Sequence, residues 1–479
     1  IELATKNVVE IADTIARERG LDLGETAERA RETTSQVFDL ANRLIAAGYA
    51  TEDGSRQVNT KVGSKEQASV FEPLFSNYAS ARLASSKEFR TVVEKASEYV
   101  SLSGGIYQET KRALDDSGHS LVAQGTTSEV CWLVTDSIGT NAEFDSNGSN
   151  DPFLVRTITI RGFDSSDELV DREQILIDIC NATQETFTDN VLVHSGLMAV
   201  ARSILSEIDE YIDSLAPGHR LVLNGHSVGG SLSILMLFLI AQQRGVDFAT
   251  EKVSRVYTFG SPPVAVLKSE NDDESGTIAD IADLVGSDLG GNSLSKCRIL
   301  EQLGLPPSIV HAYIQPWDPI VRLFSSIDPL YPLLGDMGED GETLYVSGPP
   351  RSLRPLTRQI IQSWDGWPRF RDNFRAAAKQ NFTAVGTQHL LLPDRLRYLS
   401  DKLAAVDVQV PEMVCMVTIS AEEVYPSLSE HFPLSTFSVS FVPAALRSFI
   451  HHFYPAYVFP LVEYTKKVKK RDQKETKRR

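Results

Sequence analysis

The sequence predicts an α/β fold: a mostly parallel central sheet with helices on both faces, preceded by a helical N-terminal region. Three observations carry this. Short β-branched runs alternate with helical stretches from about residue 125 onward. One run, Leu232–Ala241, is apolar at every position but Ser233 and too short to span a bilayer, so it reads as a helix buried against a sheet. Before residue 115 the apolar residues Ile11, Ile15, Val37, Leu40, Leu44 and Ile45 fall at helical spacing among charged ones.

The strands follow in order. Val130–Thr135 is an apolar run, and Asp145–Asp151 (DSNGSND) is a turn cluster. Val155–Ile160 (VRTITI) alternates and meets Gly162. A helical stretch is expected over Leu192–Leu215, then a strand at Arg220–Leu223 and a long apolar helix from Val228. Val253–Phe259 and Ile309–Ile314 read as further strands, closed by Gly260-Ser261-Pro262-Pro263 and by Pro316. Pro and Gly are frequent over 325–445, so an insertion is expected there, with Met413–Ile419 as one more buried strand. The expected organisation is a helical region over 1–120, an α/β domain over 121–463 and a basic, unfolded tail over 464–479.

Composition excludes some functions. With 42% hydrophobic and 23% charged residues the chain can bury a sizeable core. The net charge of −17 argues against nucleic-acid binding. Residues 464–479 carry nine Lys or Arg against two acidic residues, hence +7, which leaves −24 on the remainder. Such a tail could touch an anionic membrane, though a solvated, disordered tail is the favoured reading. Cys131, Cys180, Cys297 and Cys415 form no CxxC pair, and so suggest neither a zinc site nor a dense disulfide framework.

The chemistry sits in Leu221–Leu239, where Gly225-His226-Ser227-Val228-Gly229 forms a G-x-S-x-G between an apolar strand and an apolar helix. That context describes a nucleophile elbow, with the serine on a strained turn and the glycines clearing its closure. The Val228 N–H at the helix start is one expected oxyanion donor. His226 adjoins the serine in sequence and is read as a packing residue. A serine hydroxyl needs a base, and the base an orienting carboxylate, in the chain order Ser, acid, His. Asp318 follows the strand ending at Ile314 and is the expected acid, with Asp328 as the rival. His452 is the expected base and His451 the alternative; His389 and His431 lie in less regular sequence. The second oxyanion donor is expected from Phe163 N–H, in the loop after Thr159-Ile160-Arg161-Gly162.

These residues resemble the class 3 lipases, an α/β-hydrolase family. Arg161-Gly162-Phe163 resembles the family's Arg-Gly-Thr or Arg-Gly-Ser turn, and Val193-His194-Ser195-Gly196 its Val-His-x-Gly segment. Gly225–Gly230 matches the elbow, Thr258–Pro262 the Thr-Phe-Gly-x-Pro strand end, and Asp318–Val321 is similar to the acid loop, with an Arg following in place of Pro. Gly162–Ser166, Val170–Glu173, Leu223–Ser227 and the pair His452 and Tyr457 are similar to the plant and algal chloroplast subgroup. Two departures stand out: Phe163 replaces Thr or Ser, and Ile450-His451 stands where an Asp usually precedes the late His. The resemblance implies a serine hydrolase acting on acyl esters of glycerolipids at a membrane or lipid-droplet surface, without metal or cofactor, in the chloroplast. In such lipases the segment corresponding to 164–193 often serves as a lid, for which Leu169, Ile175, Leu176, Ile177 and Ile179 would supply the apolar face; an ordinary helical insertion is the equal alternative. A catalytically silent lipase-like binding protein, and an acyl transferase, stay open at this point.

Overall fold

The computed structural model describes residues 77–83, 96, 98–100, 102, 114, 118–128, 130–140, 152–161, 183–268, 297–316, 318, 320–322, 325, 382–393, 413–432, 457 and 461. The strands in chain order are β1 (Arg82–Leu83), β2 (Ser120–Thr127), β3 (Val130–Thr140), β4 (Pro152–Ile160), β5 (Gln184–Thr186) and β6 (Val191–His194). There follow β7 (Arg220–His226), β8 (Val253–Phe259), β9 (Ala265–Leu267), β10 (Val310–Ile314), β11 (Thr387–Pro393) and β12 (Met413–Ile419). The main helices are α1 (Ser195–Asp213), α2 (Val228–Arg244), α3 (Val246–Lys252), α4 (Arg298–Gln302) and α5 (Ala421–His431).

Among the described residues, nine strands form one sheet in the order β1-β12-β11-β10-β8-β7-β4-β3-β2. Its centre, β4, β7, β8, β10 and β11, is parallel, while the strands at both margins pair antiparallel. The parallel centre brings the C-terminal ends of β7, β8 and β10 side by side on one edge, where open α/β sheets bind ligands. A small antiparallel sheet, β5-β6-β9, lies apart.

Side-chain alternation divides the core in two. Leu221 and Leu223 of β7 join the core built with α1 and α2. Val222, between them, faces a second core that includes Tyr99, Val100, Tyr257, Phe259, Tyr313 and Tyr457. Ala96, Tyr99, Val100, Leu102 and Leu114 therefore cover the second face together with Tyr457 and Leu461. Every residue of α2 from Val228 to Ala241 is buried. Each Leu, Ile or Phe so placed contributes roughly 1.5–3 kcal/mol over an exposed one. Helix α1 is instead amphipathic. Leu197, Ala201, Ile204, Leu205, Ile208 and Ile212 face inward, while Arg244 of α2 pairs with Asp209 and Asp213 on its flank.

Most expected strands appear within a few residues of their sequence limits. Three places differ. Residues 191–194, expected to start a helix, are strand β6, because their backbone pairs with β5 and β9. The helix then starts at Ser195, with His194 Nδ1 accepting from Leu197 N at 3.3 Å as its cap. Strand β11 lies inside the stretch expected to hold an insertion and pairs with both β10 and β12. Strand β2 at the sheet margin was not foreseen either; its Gln124, Gly125 and Thr126 give no β-branched run. The turn cluster Asp145–Asp151, the basic tail and residues 164–182 of the expected lid, with its expected apolar face, lie outside the described residues, whereas 183–193 of that stretch hold β5 and most of β6.

Candidate active site

Ser227 sits at the junction of β7 and α2 with φ +56 and ψ −134. Positive φ is rare for a residue with a Cβ and signals backbone strain held by its surroundings. Backbone hydrogen bonds hold it here, among them Ser227 N donating to Phe259 O at 2.8 Å and Gly230 N donating to Ser227 O at 3.0 Å. The flanking glycines are required sterically. A Cβ on Gly225 would collide with the Gly229 backbone, and a Cβ on Gly229 with the carbonyl oxygen of Ile160. The elbow thus packs backbone on backbone against the end of β4 and Arg161, which is 6% exposed. Val228 occupies the first turn of α2, as an oxyanion donor at a helix start requires. Phe163 itself lies outside the described residues.

Asp318 lies four residues past β10 and is fully buried. Its Oδ1 accepts from Ile320 N at 2.8 Å, an Asx-type turn that starts a short 3-10 helix. Its Oδ2 accepts from the Tyr457 hydroxyl at 2.6 Å. Gly260, at the end of β8, has φ +61, and a Cβ there would stand 2.8 Å from both Asp318 Oδ2 and the Tyr457 oxygen. The loop is fixed from below by Arg322, 1% exposed, which donates to Phe432 O at 2.7 Å and to Pro316 O. Ser227 follows β7 and Asp318 follows β10, with β8 between. Two strand spacings, about 10 Å, separate their parent strands, which leaves room for an imidazole between the side chains.

The histidines sort by position. His226 points to the second core, with its ring edge-on to Tyr457 at 5.7 Å. His389, which sequence left in irregular chain, is in β11; it contacts His311 at 2.9 Å and Thr418 at 3.3 Å and stacks on Tyr313. His431 ends α5 and packs against Tyr78 and Glu430. All three thus have structural surroundings. His452, His451 and the rival acid Asp328 lie outside the described residues. Tyr457, known from the sequence only as a residue near the late His, emerges as the direct partner of Asp318. Burial first, and then the Asp318 carboxylate, raise its phenol well above the ordinary tyrosine range, so it is a hydrogen-bond donor.

A parallel sheet with a strained serine between strand and buried helix, and a buried carboxylate two strands away, defines the α/β-hydrolase fold. Residues 157–273, which hold the end of β4, the elbow and β8, match the family described as Lipase (class 3). A similar protein is "Phospholipase A1 PLIP1, chloroplastic" of Arabidopsis thaliana, 31% identical over 140 residues. The aligned stretch takes in 28% of this chain and only 17% of that protein's length. Among solved structures, lipase II from Rhizopus niveus overlaps 71% of this chain and 88% of its own, at 10% identity and a TM-score of 0.37. The lipase of Rhizopus microsporus var. chinensis overlaps 50% and 71%, at 12% identity and 0.32. Likeness that low carries no weight, and the fold assignment rests on the strand order and the elbow.

Proposed function

We propose that this protein is a serine lipase that hydrolyses acyl esters of glycerolipids. Ser227 attacks the ester carbonyl while His452 takes its proton, with His451 as the alternative base. Asp318 orients the imidazole and stabilises the imidazolium. The Phe163 and Val228 N–H groups hold the oxyanion. The imidazolium then protonates the leaving glycerol oxygen, and a water, deprotonated by the same base, releases the fatty acid and restores Ser227.

The observation that carries this reading is the strained Ser227 at the β7–α2 junction, φ +56, with fully buried Asp318 beyond the second strand along. Two further features support it. Arg161, two residues before Phe163, follows the strand end that abuts the elbow at Gly229. Tyr457 touches Asp318, and five residues of chain, at most about 17 Å when extended, separate it from His452.

The relative's printed name places that protein in the chloroplast and gives it phospholipase A1 activity. We carry both over as proposals, with phospholipid, galactolipid and neutral lipid as competing substrates at a membrane or lipid-droplet surface. The basic stretch 464–479 begins three residues past buried Leu461, and we assign it peripheral contact with anionic lipid. No described helix is long and apolar enough to cross a membrane. The test is hydrolysis of vesicles and droplets that each contain one lipid class. Free fatty acid from one class names the substrate. No release from any, by folded protein, would favour a silent lipase-like binding protein.

A further inference from the structure

The second oxygen of Asp318 has a partner that the triad scheme does not include. The Tyr457 hydroxyl donates to Asp318 Oδ2 at 2.6 Å, and it accepts from Gln315 N at 3.2 Å. Both Tyr457 and Asp318 are fully buried. The ring is set by packing: His226, next to Ser227 in sequence, lies edge-on to it, and Tyr457 joins the core that includes Phe259, Tyr313 and Leu461. Gly260 gives up its Cβ at the one place where a methyl would stand against both oxygens. A buried carboxylate can be satisfied by backbone alone, as Ile320 N does for Oδ1. Here the second bond instead comes from a side chain 139 residues further on, five residues past the proposed base.

We propose that Tyr457 is a positioning residue that locks the Asp318 carboxylate in the rotamer that faces the base, and that in doing so it ties the segment carrying the base to the segment carrying the acid. The inference rests on the proposed Ser227-His452-Asp318 triad. Tyr457 touches no reacting atom, so its effect passes through Asp318. A hydrogen bond to a buried ionised group restricts that group to one orientation, and loss of orientation in a catalytic group lowers turnover more than substrate binding.

The test is a double-mutant cycle on the full chain with Tyr457→Phe, Asp318→Asn and the pair, reading kcat and KM on the lipid the wild type hydrolyses best. Tyr457→Phe keeps the ring and its packing. The expected result is a kcat lower by roughly 10- to 100-fold, a KM within about twofold, and no further loss when Tyr457→Phe is added to Asp318→Asn. Multiplying losses in the double variant would overturn the proposal, because a packing role is independent of the carboxylate. If Tyr457→Phe melts below the assay temperature, 4-fluorophenylalanine at 457 replaces it. Its fluorine fills the place of the hydroxyl but cannot donate, so the same loss of roughly 10- to 100-fold in kcat is expected, while a kcat within about twofold of wild type would overturn the role of the hydroxyl. Failure of the triad itself reads differently: Asp318→Asn alone would then retain wild-type kcat.

Discussion

The amide of Ser227 donates to the carbonyl of Phe259 across 2.8 Å, so the elbow is stitched to the tip of the neighbouring strand as well as to its own. The strain at Ser227 is held by this bond, by the first turn of α2, and by backbone contact with the end of β4. Three adjacent strands, β4, β7 and β8, thus fix one side chain.

The β4 contact predicts that Gly229→Ala is severely harmful. Its methyl would overlap the Ile160 carbonyl oxygen, a backbone atom that cannot rotate away. A loss of about 1–3 kcal/mol is expected from overpacking, measured by urea denaturation, together with loss of ester hydrolysis. Wild-type stability in this variant would mean that the elbow and β4 are not in contact.

Asp318→Asn keeps the shape of the side chain and removes its charge. If Asp318 orients the base, kcat is expected to fall by about 10³- to 10⁴-fold, with the melting temperature close to that of wild type. A loss under tenfold would move the role of the acid elsewhere, with Asp328 next in line.

The base is settled by comparing His452→Ala with His451→Ala. Hydrolysis at neutral pH should vanish in the first and persist in the second. The converse outcome would shift the assignment by one residue and leave the rest of the scheme intact.

The pair His311 and His389 gives stability its own pH dependence. Burial, then His389 and Arg255, lower the His311 pKa well below the ordinary imidazole range. Below about pH 6.5 the unfolded chain gains a proton at this position that the folded chain refuses. The stability linked to His311 is therefore complete above about pH 6.5 and is lost as pH falls toward the folded value. His311→Gln should flatten the fall of the urea midpoint between pH 6.5 and 5. An unchanged slope would show that His311 is not the group responsible.

The sequence made the centre of the fold legible and its margins much less so. β7, α2 and β8 were readable because a parallel strand and its helix are both largely buried, so apolar residues dominate their sequences. β11 hid in a stretch where Gly386, Gln388 and His389 break the apolar run: His389 finds its partners, His311 and Thr418, across strands, and Gln388 bonds back to the Val385 carbonyl. At the site, Ser227 announces itself through local strain that local glycines relieve, and Asp318 through its place after a strand. Tyr457 could not be read as the partner of Asp318, because that contact joins residues 139 apart and leaves no local spacing.

The most direct test of the account is fluorophosphonate labelling of purified protein beside its Ser227→Ala variant, with fatty-acid release measured on the same samples. The account predicts labelling and release by wild type, and neither by the variant. Equal labelling of both proteins, or release that survives in the variant, would contradict it.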